Sequence, residues 1–166
     1  MSENKNQKVT KQTSSPFNYD NLETMTGFLF WQVSSTWHTS QGKMLKTLFD
    51  ISQLHYVILS STRWLNIEGI EVTQSYLSMH AKVEKMTISK NVVELQERGY
   101  LARNKHLTDH RANIITITEK GIELLNKAVI EIEKMDNAFF NALKRRRSLF
   151  NSLLLEMLKE NRNFFL

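Results

Sequence analysis

With 166 residues and no cysteine, the chain has room for one compact domain with a helical extension, and no means of forming disulfides, thiolate metal sites or cysteine redox sensors. No apolar run reaches the roughly 18 residues that cross a bilayer, and residues 1–15, rich in Lys, Asn, Ser and Thr, lack the apolar stretch of a secretory signal; both predict a soluble, cytoplasmic protein without membrane contact. A net charge of +5 and a pI of about 9.5 favour an anionic partner, while one proline and five glycines suit a chain made mostly of helices.

Residues 1–18 are polar and carry Lys5, Lys8 and Lys11. They read as a disordered tail, with a DNA-contacting arm as the alternative. From 20 to 49 the pattern is helical, with Asp20 or Asn21 as cap. Phe30, Val33, Trp37, Met44 and Leu48 recur near helical spacing, extended upstream by Leu22, Met25 and Leu29. Trp31, Trp37, Phe28 and Phe30 give this helix more apolar surface than one small domain needs, which suggests a helix shared between core and subunit interface. Ser52 is placed to cap a second helix over 53–65. Its Leu54, Val57, Ile58, Ser61 and Leu65 form one face, with His55 and Arg63 off that face or at its edge. Gly69, between Glu68 and Glu71, marks a turn.

Thr73 then caps a short helix over 74–80 that packs through Tyr76, Leu77 and Met79. A break at Lys82 and Val83 precedes a helix over 85–98, where Ile88, Val92 and Leu95 at i, i+4 and i+7 make one buried stripe. Gly99 falls just past its end, where glycine is favoured. Two short helices with a tight connection, the second carrying an exposed polar face, form a helix-turn-helix. After Gly99 the period becomes two. Leu101, Arg103, Lys105 and Leu107 alternate with Tyr100, Ala102, Asn104 and His106, and Ile115 and Ile117 alternate with Ile114, Thr116 and Thr118 in a return strand. The polar loop between them, with Asp109, His110 and Arg111, makes this hairpin a wing.

A long helix over 119–143 follows, with Leu125, Val129, Ile132, Phe139 and Leu143 on one side. Lys144, Arg145, Arg146 and Arg147 interrupt it. They have the look of a nucleic-acid patch, but they read better as a solvated turn or as partners for carboxylates of a second copy, since they lie far along the chain from the wing and cations at a helix start oppose its dipole. The last helix, over 148–159, shows Phe150, Leu153, Leu154, Met157 and Leu158. Helices this apolar need cover, and a second copy of the chain is the natural source. The expected architecture is mainly α with a small β-hairpin wing: a polar tail (1–18), an N-terminal dimerisation and core helix (19–50), a winged helix-turn-helix domain (51–121) and C-terminal dimerisation helices (122–166).

Asp109-x-Arg111 followed by Ile115-x-Ile117-Thr118-x-Lys120-Gly121 is similar to a D-x-R … V-x-L-T-x-x-G signature. Leu95-Gln96-Glu97-Arg98-Gly99-Tyr100-Leu101 is similar to L-E-x-R-G-L-V, and Thr87-Ile88-Ser89-Lys90 to T-V-T-R. With these motifs, the order of elements from residue 20 onward resembles the MarR family of bacterial transcriptional regulators. Asn91, Glu84 and Tyr76 depart from the family's usual apolar, Ser or Asp, and small or acidic residues. The resemblance implies a triangular, mostly helical dimer that binds a pseudopalindromic operator. It also implies a repressor that a small, often aromatic ligand releases.

On that reading Lys85, Thr87, Ser89 and Lys90 lie on the N-terminal half of the recognition helix, the part that reaches base edges. Lys90 suits guanine O6 and N7; Thr87 and Ser89 suit bases, phosphates or a thymine methyl. Arg111 at the wing tip suits the narrow minor groove of A·T-rich DNA, and Asp109 would hold its guanidinium in aim. The bland alternative for that pair is an exposed hairpin ion pair. Arg103, Lys105 and His110 would add phosphate contacts. An effector pocket, where the resemblance implies one, would draw on Trp31, Trp37, His55, Tyr56 and Arg63; core packing explains the same residues. His38, His55, His80, His106 and His110 carry no metal-ligand spacing, so neither metal nor cofactor is expected. The chain has no G-x-S-x-G, glycine-rich phosphate loop or cysteine nucleophile, which argues against an enzyme. Glu84, Glu94 and Glu97 keep open one alternative, a winged-helix protein-interaction module without DNA binding.

Overall fold

The computed structural model describes residues 22–105 and 113–161. A 3-10 turn (Leu22–Thr24) leads into α1 (Thr26–Phe49), followed by α2 (Gln53–Ile67), α3 (Gln74–Ala81), α4 (Lys85–Glu97), β1 (Leu101–Lys105), β2 (Asn113–Ile117), α5 (Glu119–Phe140) and α6 (Arg147–Glu160). The chain divides into two compact units, one ending at Thr36 and one beginning at Trp37. In the first, Phe28 and Trp31 stack with ring centroids 6.2 Å apart. Phe30, Trp31 and Val33 are exposed there.

Local chemistry starts the helices of the second unit. The Ser52 hydroxyl accepts the His55 amide at 3.1 Å, and His55 Nδ1 accepts the Ser52 amide at 3.4 Å, a reciprocal capping box. Thr73 caps α3 through the Tyr76 amide (3.2 Å), and Thr118 caps α5 through the Gly121 amide (3.1 Å). Each such cap contributes about 1 kcal/mol. The turn between α3 and α4 is made by Lys82 in the left-handed region (φ 55°), with the Ser78 hydroxyl donating to Val83 O at 2.7 Å. From α2 onward the expected helices appear within three residues of their expected ends, whereas the helix expected from residue 20 starts at Thr26, after the 3-10 turn.

The main core joins Ile58, Leu59 and Leu65 of α2 to Val72, Leu77, Ile88, Val92, Leu95, Leu101, Ile115 and Leu125. Ile88, Val92 and Leu95 are fully buried, as their spacing predicts. β1 and β2 pair antiparallel, with Leu101 opposite Ile117 and Arg103 opposite Ile115. The Ile115 amide donates to Val72 O at 2.8 Å, so the residue just before α3 lines the outer edge of the hairpin. The wing and the helix-turn-helix are therefore joined through backbone.

Other faces differ from the expected stripes. On α1, Gln41 and Leu45 are buried while Phe30, Val33 and Leu48 are exposed. The face of this helix that meets its own core is narrow. On α2, His55, Leu59 and Thr62 are buried with Ile58 and Leu65, whereas Leu54 and Val57 are half-buried. α5 buries Gly121, Leu125, Ala128 and Ile132, so Ala128 holds the central place expected for Val129. Small residues there let helices approach closely: Ala128 and Ile132 meet Leu45 and Ile51 in a second cluster. The expected helix over 119–143 stops at Phe140. A 3-10 segment (Asn141–Arg146) follows, with Lys144 at φ 49°, ψ −126°. α6 buries none of its residues.

Candidate nucleic-acid interface

The recognition helix α4 starts at Glu84, whose side chain caps nothing. The first-turn amides of α4 thus have no side-chain acceptor from the residue before it, at the end where a helix favours an anion. Lys85, Thr87 and Lys90 are exposed and Ser89 half-buried. Asn91 donates from Nδ2 to Thr87 O at 2.8 Å, so the polar residue at an expected apolar position is satisfied on its own helix. The outermost line of α4, opposite the buried stripe, is Met86, Lys90 and Val93 at i, i+4 and i+7.

Arg103 lies on the inward face of β1 and is half-buried, with Nε and Nη2 enclosed and without a hydrogen-bond partner among the described residues. A phosphate contact from it requires the side chain to swing outward. Lys105 ends β1, but its side chain lies outside the described residues, as do Asp109, His110 and Arg111.

The end of α4 is held by contacts between residues far apart in sequence. Arg98 donates from Nη1 to Asp50 O at 2.8 Å and approaches Asp50 Oδ2 at 3.5 Å. Lys46, with Arg98 as a lesser influence, keeps the exposed Asp50 carboxyl below its ordinary pKa. Lys120 Nζ donates to Arg98 O at 2.8 Å and lies 4.9 Å from the Tyr100 ring centroid. Sequence reasoning missed this clamp because Arg98 and Asp50 are 48 residues apart.

Between α4 and β1, Gly99 takes φ 74°, a conformation open to glycine at little cost. The Thr118 hydroxyl donates to Gly99 O at 2.7 Å, and the Thr118 amide to Tyr100 O at 3.1 Å. Gly121 has an ordinary φ but no room: a Cβ there would lie 2.3 Å from Tyr100 O and 2.8 Å from Ile117 Cγ1. The Thr-x-x-Gly motif is therefore a joint that seats α5 on β1.

The five residues considered for an effector sit in different settings. Trp31 is exposed in the first unit. Trp37 donates from Nε1 to Asp136 Oδ1 at 2.8 Å, tying α1 to α5. Tyr56 is half-buried against both clusters, and burial, then Asp136 and Glu133, raises its pKa. Arg63 is half-buried on α2. An open depression lies along α1 and α5, lined by Leu48, Phe49, Lys127, Ile130 and Glu131 and by none of the five. The described residues contain no cluster of three or more potential metal ligands and no helix long and apolar enough to cross a membrane.

His55 is buried, with Nδ1 occupied by the cap and Nε2 3.4 Å from Glu94 Oε2 on α4. Burial lowers its pKa, opposed by Glu94 and assisted by Arg98. The unfolded chain thus takes up a proton at His55 more readily than the folded one. The contribution to stability is complete above about pH 6.5 and is lost as pH falls through the folded value. Melting temperature should fall from this group between pH 7.5 and 5. His55→Gln, which retains a side chain able to accept the cap bond, should show a shallower drop; an identical pH profile for the two proteins would refute this role.

The sequence pattern of the ArnR1-like winged-helix domain matches residues 43–136. YdcH of Bacillus subtilis (strain 168), an uncharacterised HTH-type transcriptional regulator, is 35% identical over 136 residues, which cover 82% of this chain and 91% of YdcH. The solved structure of a MarR protein from Peptoclostridium difficile shares the fold with a TM-score of 0.76 at 20% identity, covering 91% of this chain and 96% of that one. The chain belongs to the ArnR1-like winged-helix family of HTH-type transcriptional regulators, and its fold is that of MarR proteins. S. aureus MepR, whose structure was solved as a DNA complex, has the same MarR-family fold (TM-score 0.72, 20% identity, 81% of this chain and 97% of MepR).

Proposed function

We propose that this chain, built on the fold of MarR proteins, is a homodimeric repressor that reads a pseudopalindromic operator. The observation that carries the reading is the recognition helix: α4 is anchored by a fully buried stripe and turns Lys85, Thr87 and Lys90 outward. Ser89 and Lys90 complete the major-groove set. Arg111, aimed by Asp109, enters the minor groove, and Lys105, His110 and a rotated Arg103 neutralise phosphates.

We further propose the domain roles: residues 51–121 read DNA, while 19–50 and 122–166 pair two copies. The exposed leucines of α6 and the exposed aromatic residues of α1 support this. Pairing would set the two recognition helices about 10 base pairs apart, centre to centre. A small aromatic effector would act through the residues considered above, with Trp37 and Tyr56, which both adjoin Asp136, as its first contacts.

A mobility shift with the promoter fragment beside the chain's own gene, at two salt concentrations, tests the reading. Binding that weakens steeply with salt supports it. Absence of binding at low salt favours the protein-interaction alternative that Glu84, Glu94 and Glu97 suggest. In the same assay Arg111→Ala should weaken binding by about 1–2 kcal/mol, roughly tenfold, with an unchanged melting temperature. Equal affinity in an equilibrium titration would remove the wing from the interface.

A further inference from the structure

The most exposed large apolar side chain among the described residues is Met86, at 85%. It is the second residue of α4, and one turn further along the same line stands Lys90, then Val93, itself 40% exposed. This ridge faces away from Ile88, Val92 and Leu95, so neither apolar residue serves the core. An exposed methionine flanked by Lys85, Thr87 and Lys90 is out of keeping with a merely solvated helix face. Its chemistry suits one feature of the major groove: the thymine C5-methyl, the groove's apolar handle, which side chains read by contact alone. Methionine is unbranched and reaches further than the Thr87 methyl, and its flexible thioether adapts to an irregular surface.

We propose that Met86 is a specificity-determining residue, reading a thymine methyl beside the base contacted by Lys90, with Val93, two helical turns on from Met86, touching a second methyl. The proposal rests on the DNA-binding reading above. It adds to the contacts of the polar residues of α4 a purely apolar one: thymine in each half-site recognised by its methyl group.

The full-length protein is used to select binding sites from a random-sequence duplex library. The enriched duplex is then remade with deoxyuridine replacing each thymine in turn, which removes only the methyl. Wild-type protein should lose affinity by about three- to fivefold at one thymine per half-site that faces Val93 and at another that faces Met86. Met86→Ala should bind the parent duplex more weakly by a similar factor and show no further loss on uridine substitution there; Met86→Leu should restore the sensitivity. Both variants should melt with the wild type, because the residue is exposed. An enriched duplex with no uridine-sensitive position, or with the same sensitivity in Met86→Ala, overturns the assignment while leaving DNA recognition intact. If Met86→Ala binds the parent duplex as tightly as wild type, the ridge serves a protein partner and the proposal fails. If no sequence is enriched at all, the DNA-binding reading fails and this proposal with it.

Discussion

Gly121→Ala is expected to lower the melting temperature by on the order of 10 °C, corresponding to about 3 kcal/mol. Alanine normally stabilises a helix position over glycine by about 1 kcal/mol, so the sign of the effect is itself the test. The added methyl would sit 2.3 Å from Tyr100 O, a backbone atom that cannot rotate away. To make room, the start of α5 must lift from β1, weakening the Thr118 bonds to Gly99 O and Tyr100 O. Gly42→Ala is the matched control: a Cβ there meets nothing within 4 Å in its own chain, and it should be neutral or mildly stabilising. Thermal melts of the two variants side by side decide the matter. A Gly121→Ala protein as stable as wild type would mean that α5 is not seated as described.

The second large effect is expected at α6. Leu149 and Leu153 stand one turn apart and are 59% and 50% exposed in the single chain. Replacing both with Glu costs the isolated chain little, since surface changes usually stay within about 0.5 kcal/mol each. Across a subunit interface the same two charges would have to be stripped of water. The double variant should run as a monomer in light scattering while keeping its helical circular dichroism. Operator affinity should fall by on the order of 100-fold, because each half-site then binds alone. A double variant that remains dimeric takes α6 out of the proposed interface.

Much of the fold was legible because its determinants are local. Ser52, Thr73 and Thr118 each precede a helix and each caps it. The i, i+4, i+7 spacing of Ile88, Val92 and Leu95 needed no knowledge of the partner elements. His55 was harder to place: a reciprocal cap usually has Glu or Gln at that position, and here an imidazole nitrogen does the work, which also explains its burial. The α1 stripe went unburied in the single chain because apolar spacing says that a face wants cover, not what covers it. Asp50 with Arg98, and Gly121 with Tyr100, depend on chain reversals that no sequence window spans. Met86 and Val93 escaped notice as candidate readers for a simpler reason. An apolar residue on a helix is taken for core until its exposure is known.

The joint at Gly99, Tyr100, Thr118 and Gly121 bears on how such a regulator diverges. Its bonds end largely on main-chain oxygens, and its side-chain demands reduce to one hydroxyl and two glycines, Gly99 for its positive φ and Gly121 for its missing methyl. Met86, Lys90 and Val93 take no part in it. After gene duplication, those three positions are free to drift toward a new operator while the scaffold that aims them stays the same. A library randomised at the same three positions would begin from that separation of labour: folding resides in one set of residues, target choice in another.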